Sequence, residues 1–186
     1  IHGRFVEALV ARMRQLNVGH ALEQGTQIGP VAEARQLQQN LDYLQLAKAD
    51  GATLVEGGEL LALEPAGHYM RPALFTHTTN QMRINREEVF GPIACVIRVS
   101  DYEQALAVLN DTEYGLTAGI ITQSLRYASD FKRRARTGCV MVNLPTAGTD
   151  YHVPFGGRKN SSFGPREQGQ YAREFYTVVK TTYVRP

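Results

Sequence analysis

Apolar residues recur every three or four positions at Phe5, Val6, Leu9, Val10, Met13 and Leu16, a spacing that predicts a helix ending near Gly19. After the Gly29–Pro30 break, Val31, Ala34, Leu37, Leu41 and Leu44 repeat the pattern and predict a longer helix that stops by Gly51. From Gly51 to Glu88 the pattern weakens to short β-type pieces, Thr53 to Glu56 and Ala73 to Thr76, between glycine and proline breaks. Beyond Pro92 apolar runs alternate with helical periodicity. The expected order is a strand from Ile93 to Val99, a helix over 101–110, a strand from Thr117 to Thr122, a helix over 125–136 and a strand from Cys139 to Asn143. Ser100 or Asp101 and Ser124 are the cap candidates of those two helices. Strands joined through helices run parallel with right-handed crossovers. The fold class expected is therefore α/β, an open, mostly parallel twisted sheet flanked by helices.

In such sheets ligands sit beyond the carboxyl ends of the strands, which points to the loop after Asn143. That loop, Leu144 to Gly164, is rich in Pro, Gly, Ser and Thr and long enough to be functional. A final helix is expected to begin around Pro165, because proline suits a first helical position and Glu167 follows in the first turn. Thr177 to Val184 is rich in β-branched residues and reads as a closing edge strand that pairs with another domain or subunit. The domains drawn on this basis are 1–164 and a terminal helix and strand, 165–186.

Composition narrows the partners. With 186 residues, 43% of them hydrophobic and 20% charged, the chain is an ordinary globular one, and no apolar run approaches the ~18 residues of a membrane helix. A net charge of +2 gives no field that would steer it to nucleic acid or an anionic membrane. Lys132, Arg133, Arg134 and Arg136 read as a solvated helix end that offsets the dipole, not as a nucleic-acid patch. The five histidines show no metal spacing. Cys95 and Cys139 each lie inside an apolar run and read as reduced, buried thiols. The chain begins at Ile1 without a leader, so its start reads as a cut, and a cytoplasmic location is expected.

Glu87 and Glu88 are neighbours, and on an extended chain they would face opposite ways and could not share one substrate. Glu88 and Phe90 would share a face there, setting a carboxylate beside an aromatic ring. A carboxylate suits the vicinal hydroxyls of a ribose, and a ring can pack on the attached base. A surface acid beside a core phenylalanine is the more ordinary arrangement, and sequence physics alone leaves both readings standing. Phe155, Gly156 and Gly157 lack the spacing of a phosphate loop and read as a structural turn.

Several stretches in order resemble the aldehyde dehydrogenase family. Glu88, Val89, Phe90, Gly91 and Pro92 match its E-x-F-G-P motif; Asn110, Tyr114, Gly115, Leu116 and Ala118 match N-x-x-x-Y-G-L-x-A; Asn143 followed by Pro154, Phe155, Gly156, Gly157, Lys159 and Ser161 matches its late substrate loop. The resemblance spans nearly the whole chain. It implies oxidation of a small-molecule aldehyde to an acid with NAD or NADP, through a thiohemiacetal and a thioester on a cysteine. Glu88 would hold the nicotinamide ribose and Phe90 pack near the nicotinamide. Asn143, Leu144, His152 and Phe155 would be substrate-binding, with Phe155 lining the aldehyde channel. The family's nucleophilic cysteine, general-base glutamate and oxyanion asparagine would precede this chain, so no catalytic residue is assigned to it and the isolated chain is expected to be inactive. Ser162 stands where the family usually has Gly, and with S-S-F-G-P-R-E-Q-G from Ser161 to Gly169 the pattern resembles the bacterial subgroup oxidising 2-oxoglutarate semialdehyde. The terminal strand would join an oligomerisation arm of a homodimer or homotetramer. A second reading is a stand-alone nucleotide- or partner-binding α/β module without catalysis.

Overall fold

The computed structural model describes residues 1–186, which divide into two compact units, Ile1–Val99 and Ser100–Pro186. In the first unit, helix α1 spans His2–Met13 and α2 spans Ala34–Ala49. α1 stops short of Gly19 because the backbone that follows pairs elsewhere: Asn17 O accepts from Gln27 N and Ile28 N at 3.0 and 3.1 Å, and Gly19 N donates to Ile28 O at 3.0 Å. α2 ends where Gly51 takes φ 93°, a left-handed turn that glycine adopts without Cβ strain and that lets Ala52 N reach Ala47 O at 2.9 Å.

β1 (Thr53–Glu56), β2 (Leu60–Leu61), β3 (Tyr69–Met70) and β4 (Ala73–Thr76) follow, then the single turn α3 (Arg83–Arg86) and β5 (Ile93–Cys95). β4 is central, antiparallel to β1 and parallel to β5, and all four of its residues are buried. This explains its unbroken apolar texture, since a strand covered on both faces has no polar side. Phe75, Met70, Leu44 and Ala47 form the centre of this core, with Ile84 closing it from α3.

The second unit comprises α4 (Tyr102–Asn110), β6 (Tyr114–Gly115), β7 (Thr117–Ile120), α5 (Leu125–Arg134), β8 (Cys139–Val142), β9 (Arg158–Lys159), a 3₁₀ turn (Gly169–Tyr171) and α6 (Ala172–Tyr176). Both expected caps form: Asp101 accepts from Gln104 N at 2.8 Å and Ser124 from Tyr127 N at 3.3 Å. β7 and β8 run parallel with α5 as their crossover. Leu106, Ala118, Phe131 and Ala135 make the core beneath them. Asn110 bridges the helix ends, its Nδ2 donating to Arg134 O at 3.0 Å and its Oδ1 accepting from Arg136 N at 2.7 Å. α5 therefore ends at Arg134.

Two expectations change, the single sheet and the start of the final helix. The strands form four small sheets instead of one mostly parallel sheet, with β1–β4, β2–β3 and β6–β9 antiparallel. No helix separates β1 from β4, and a strand that returns without a crossover runs antiparallel. No helix starts at Pro165, because the backbone there is spent on the preceding loop: Glu167 N donates to Phe155 O at 3.3 Å and Gly169 N to Tyr151 O at 3.2 Å. Thr177 to Val184 forms no strand in this chain, and Val178, Val179 and Tyr183 are almost fully exposed. No helix is long and apolar enough to cross a membrane.

Truncating Phe75 to Ala should cost about 3–5 kcal/mol, against no more than about 0.5 kcal/mol for the exposed Phe5. Asn110→Ala should cost about 0.5–1.5 kcal/mol by removing two hydrogen bonds to backbone groups that water can then reach. Urea denaturation of the three variants beside the parent chain checks this order.

Candidate functional site

In the first unit the candidate residues sit on the turn between α3 and β5. Val89 packs against the core, which leaves Glu88 and Phe90 directed to solvent on either side of it. Phe90 is 79% exposed and has φ 55°. The extended backbone expected at Glu88 and Phe90 is thus corrected to a left-handed turn at Phe90, and the alternative of a core phenylalanine is removed. A bulky residue in the left-handed region is strained and persists only where its surroundings hold it.

Those surroundings come from α2. Gln36 Nε2 lies 3.0 Å from Val89 O and 3.1 Å from Phe90 O, and Gln39 Nε2 lies 3.3 Å from Val89 O. Gln36, Gln39, Asn40 and Tyr43 occupy i, i+3, i+4 and i+7, one face of the helix. Reading α2 by its apolar positions alone passes over this polar stripe, although its period is the available signal.

The two adjacent glutamates have separate fates, as the opposed-face reading expects. Glu87 accepts from Arg83 at 2.6 and 2.9 Å and from the Tyr43 hydroxyl. The Arg83 hydrogen bonds, followed by that of Tyr43, hold its carboxyl below the ordinary range, while the bond to Glu87 raises the Tyr43 phenol. Glu88 is exposed, and Glu87 takes the neighbouring cation and phenol. Its carboxylate is available to hydroxyl donors.

In the second unit, Asn143 stands at the carboxyl end of β8 with φ 58°. Its Oδ1 accepts from Thr122 N at 2.8 Å, its Nδ2 donates to Thr122 O at 2.9 Å, and its own N donates to Ile120 O at 2.8 Å. The side chain imitates one more rung between β7 and β8, after which the chain turns away. Leu144 is 63% exposed, His152 is exposed with its ring edge-on to Tyr151 at 5.4 Å, and Phe155 is half-buried. The remaining motif residues are scaffold. Gly156 and Gly157 are buried against Gly138, where a side chain would meet backbone. Lys159 Nζ donates to the carbonyls of Asn110 and Thr112 at 2.9 Å, and Ser161 Oγ accepts from Gly115 N at 2.9 Å. Ser162, the departure from the usual Gly, accepts from Gly157 N at 2.6 Å and so closes the turn itself.

Both thiols are half-buried. Burial pushes Cys95 up to about 11, and Cys139 Sγ lies 3.8 Å from Gly156 O under the same turn. No group of His, Cys, Asp or Glu side chains is placed to hold a metal ion.

The aldehyde dehydrogenase family pattern matches residues 1–182, and the chain belongs to that family. It is 38% identical over 188 aligned positions to an alpha-ketoglutaric semialdehyde dehydrogenase of Bacillus subtilis, covering 100% of this chain and 38% of that protein. Against an alpha-ketoglutarate semialdehyde dehydrogenase of Haloferax volcanii it is 43% identical, covering 98% and 38%. Among solved structures, betaine aldehyde dehydrogenase from Staphylococcus aureus in complex with NAD+ superposes with a TM-score of 0.89 at 29% identity, over 95% of this chain and 35% of that one. The NAD+ complex of an aldehyde dehydrogenase from Bacillus cereus gives 0.88 at 34% identity, over 96% and 36%. The chain thus spans about 38% of the length of the curated relatives it matches.

Because the carboxyl of Glu87 is held low in the folded state, its ion pair stabilises the fold above the ordinary glutamate value of 4.5 and that contribution is lost as pH falls through the lower folded value. Glu87→Gln should flatten the decline in urea midpoint measured from pH 6 downward relative to the parent.

Proposed function

We propose that this chain is the part of an aldehyde dehydrogenase that presents Glu88 and Phe90 to a nicotinamide dinucleotide and supplies one wall of the aldehyde site from Asn143, Leu144, His152 and Phe155. The observation that carries the reading is Phe90, a large aromatic held exposed in a left-handed turn beside an available carboxylate. An arrangement that costs stability and buries nothing is explained by a ligand that covers it. The Glu88 carboxylate can accept from the two hydroxyls of a ribose, and the Phe90 ring can pack on the attached heterocycle. The dinucleotide, NAD or NADP, supplies a hydride acceptor when bound. The solved relatives holding NAD+ support the first of the two.

Bond making belongs to residues outside this chain. An attacking thiolate is favoured by an electropositive, accessible setting, whereas burial raises the Cys95 thiol and Cys139 Sγ faces the carbonyl of Gly156. The intact enzyme would oxidise a small aldehyde to its acid, with 2-oxoglutarate semialdehyde the preferred class. The two semialdehyde dehydrogenases among its relatives and the Ser162-closed loop support that choice. Exposed Val178, Val179, Tyr183 and Val184 support pairing of the terminal segment with a second copy in a dimer or tetramer.

Two assays test this reading. The purified 186-residue chain should form no NADH from any aldehyde, and measurable turnover would refute the assignment of the chemistry to other segments. In the intact enzyme, Glu88→Gln should raise KM for the dinucleotide by roughly tenfold, and kcat/KM should favour 2-oxoglutarate semialdehyde over betaine aldehyde and long aliphatic aldehydes.

A further inference from the structure

Beneath the Glu88 to Pro92 turn lies a polar group that packing does not explain. Asn40 of α2 is fully buried, and its Nδ2 has no hydrogen-bond partner. An aliphatic side chain would fill the same space without stranding a donor in the core. The carboxamide makes two contacts. Its Oδ1 accepts from Gln36 Nε2 at 3.0 Å, and it lies flat against Gly91, where any Cβ would overlap it.

Gln36 Nε2 carries two hydrogens and has three acceptors at 3.0 to 3.1 Å: Asn40 Oδ1, Val89 O and Phe90 O. By accepting one hydrogen, Asn40 fixes the plane and sense of the Gln36 amide, so the other hydrogen points at the two loop carbonyls. The Gly91 contact sets the height of the turn above the helix. We infer that Asn40 is a positioning residue of the cofactor loop, which acts through Gln36 and Gly91 to hold Phe90 left-handed and to aim Glu88 and Phe90 at the dinucleotide. The inference rests on the proposed role of Glu88 and Phe90.

The test uses the intact enzyme with Asn40→Leu, Asn40→Ala, Gly91→Ala and Glu88→Gln. Asn40→Leu keeps the core filled and removes the acceptor; Asn40→Ala serves if the leucine variant does not fold. Either should raise KM for NAD+ about fivefold with kcat at saturating NAD+ within about twofold of the parent, and should add little to Glu88→Gln in the double variant. A role in packing alone would lower the thermal midpoint and leave that KM against kcat split unmoved. Gly91→Ala should weaken NAD+ binding in the same way, and Asn40→Ala in its background should restore part of the loss, because the new methyl then occupies the vacated space. If Glu88→Gln weakens NAD+ binding while both Asn40 variants bind it as the parent does, or if Asn40→Ala fails to relieve Gly91→Ala, the inference is overturned and the cofactor reading stands. If Glu88→Gln itself leaves NAD+ affinity unchanged, the cofactor reading falls and takes the inference with it.

Discussion

Backbone groups that leave a strand or a helix lose their regular partners, and the positions of the candidate residues depend on how that loss is met. Backbone donors and acceptors are paired in folded chains by other backbone, by side chains or by water. In the turn after α3 the partners are the amides of Gln36 and Gln39; at the end of β8 they are both ends of the Asn143 amide; between α4 and α5 they are both ends of Asn110. Side-chain amides are suited to this work because each carries a donor and an acceptor in one plane, as a peptide does. The turns are thereby tied to neighbouring elements by named hydrogen bonds, a condition for holding a ligand with loops.

Three of the four non-glycine residues at positive φ have such support. Phe90 and Asn143 have φ near 55–58°, and so does Lys159, whose ammonium is held by two carbonyls. A non-glycine residue in this region costs on the order of 1–3 kcal/mol, comparable to one or two net hydrogen bonds. Each of these positions has at least two such bonds to itself or to its carbonyl's neighbours. Asparagine tolerates the conformation better than phenylalanine, since its short polar side chain bonds locally. Phe90 has no such local compensation, and the α2 amides are what hold it.

The regular elements were legible in the chain to different degrees, for identifiable reasons. Thr53–Glu56, Ala73–Thr76 and the β7–α5–β8 crossover form where periodicity and the Ser124 cap place them, because each is specified by its own residues. The segments from Pro165 and from Thr177 behave otherwise. Pro165 and Glu167 are good helix-start residues, yet the loop from Tyr151 to Phe155 takes the backbone donors that a first turn would have carried. Thr177 to Val184 has strand-forming side chains and no neighbour in this chain, and a strand without a partner is only an exposed segment. Glu88 and Phe90 stand out in the sequence by their chemistry and motif. Gln36, Gln39 and Asn40 do not, because a polar stripe on a helix reads as a solvent face until the tertiary structure sets a loop on it.

The same distinction separates the roles of the motif residues. Gly91, Gly115 and Gly138 are small because a backbone or a buried amide lies where a Cβ would stand, and Gly157 because the Ser161 side chain does. Asn110, Lys159 and Ser161 are polar because they close turns. Once those requirements are subtracted, Glu88, Phe90, Leu144 and His152 are exposed, and no packing requirement of the fold accounts for their identity. A residue that the fold does not need is free to answer to what the surface meets, and these positions offer a carboxylate and an aromatic ring in the first unit and an apolar group and an imidazole in the second.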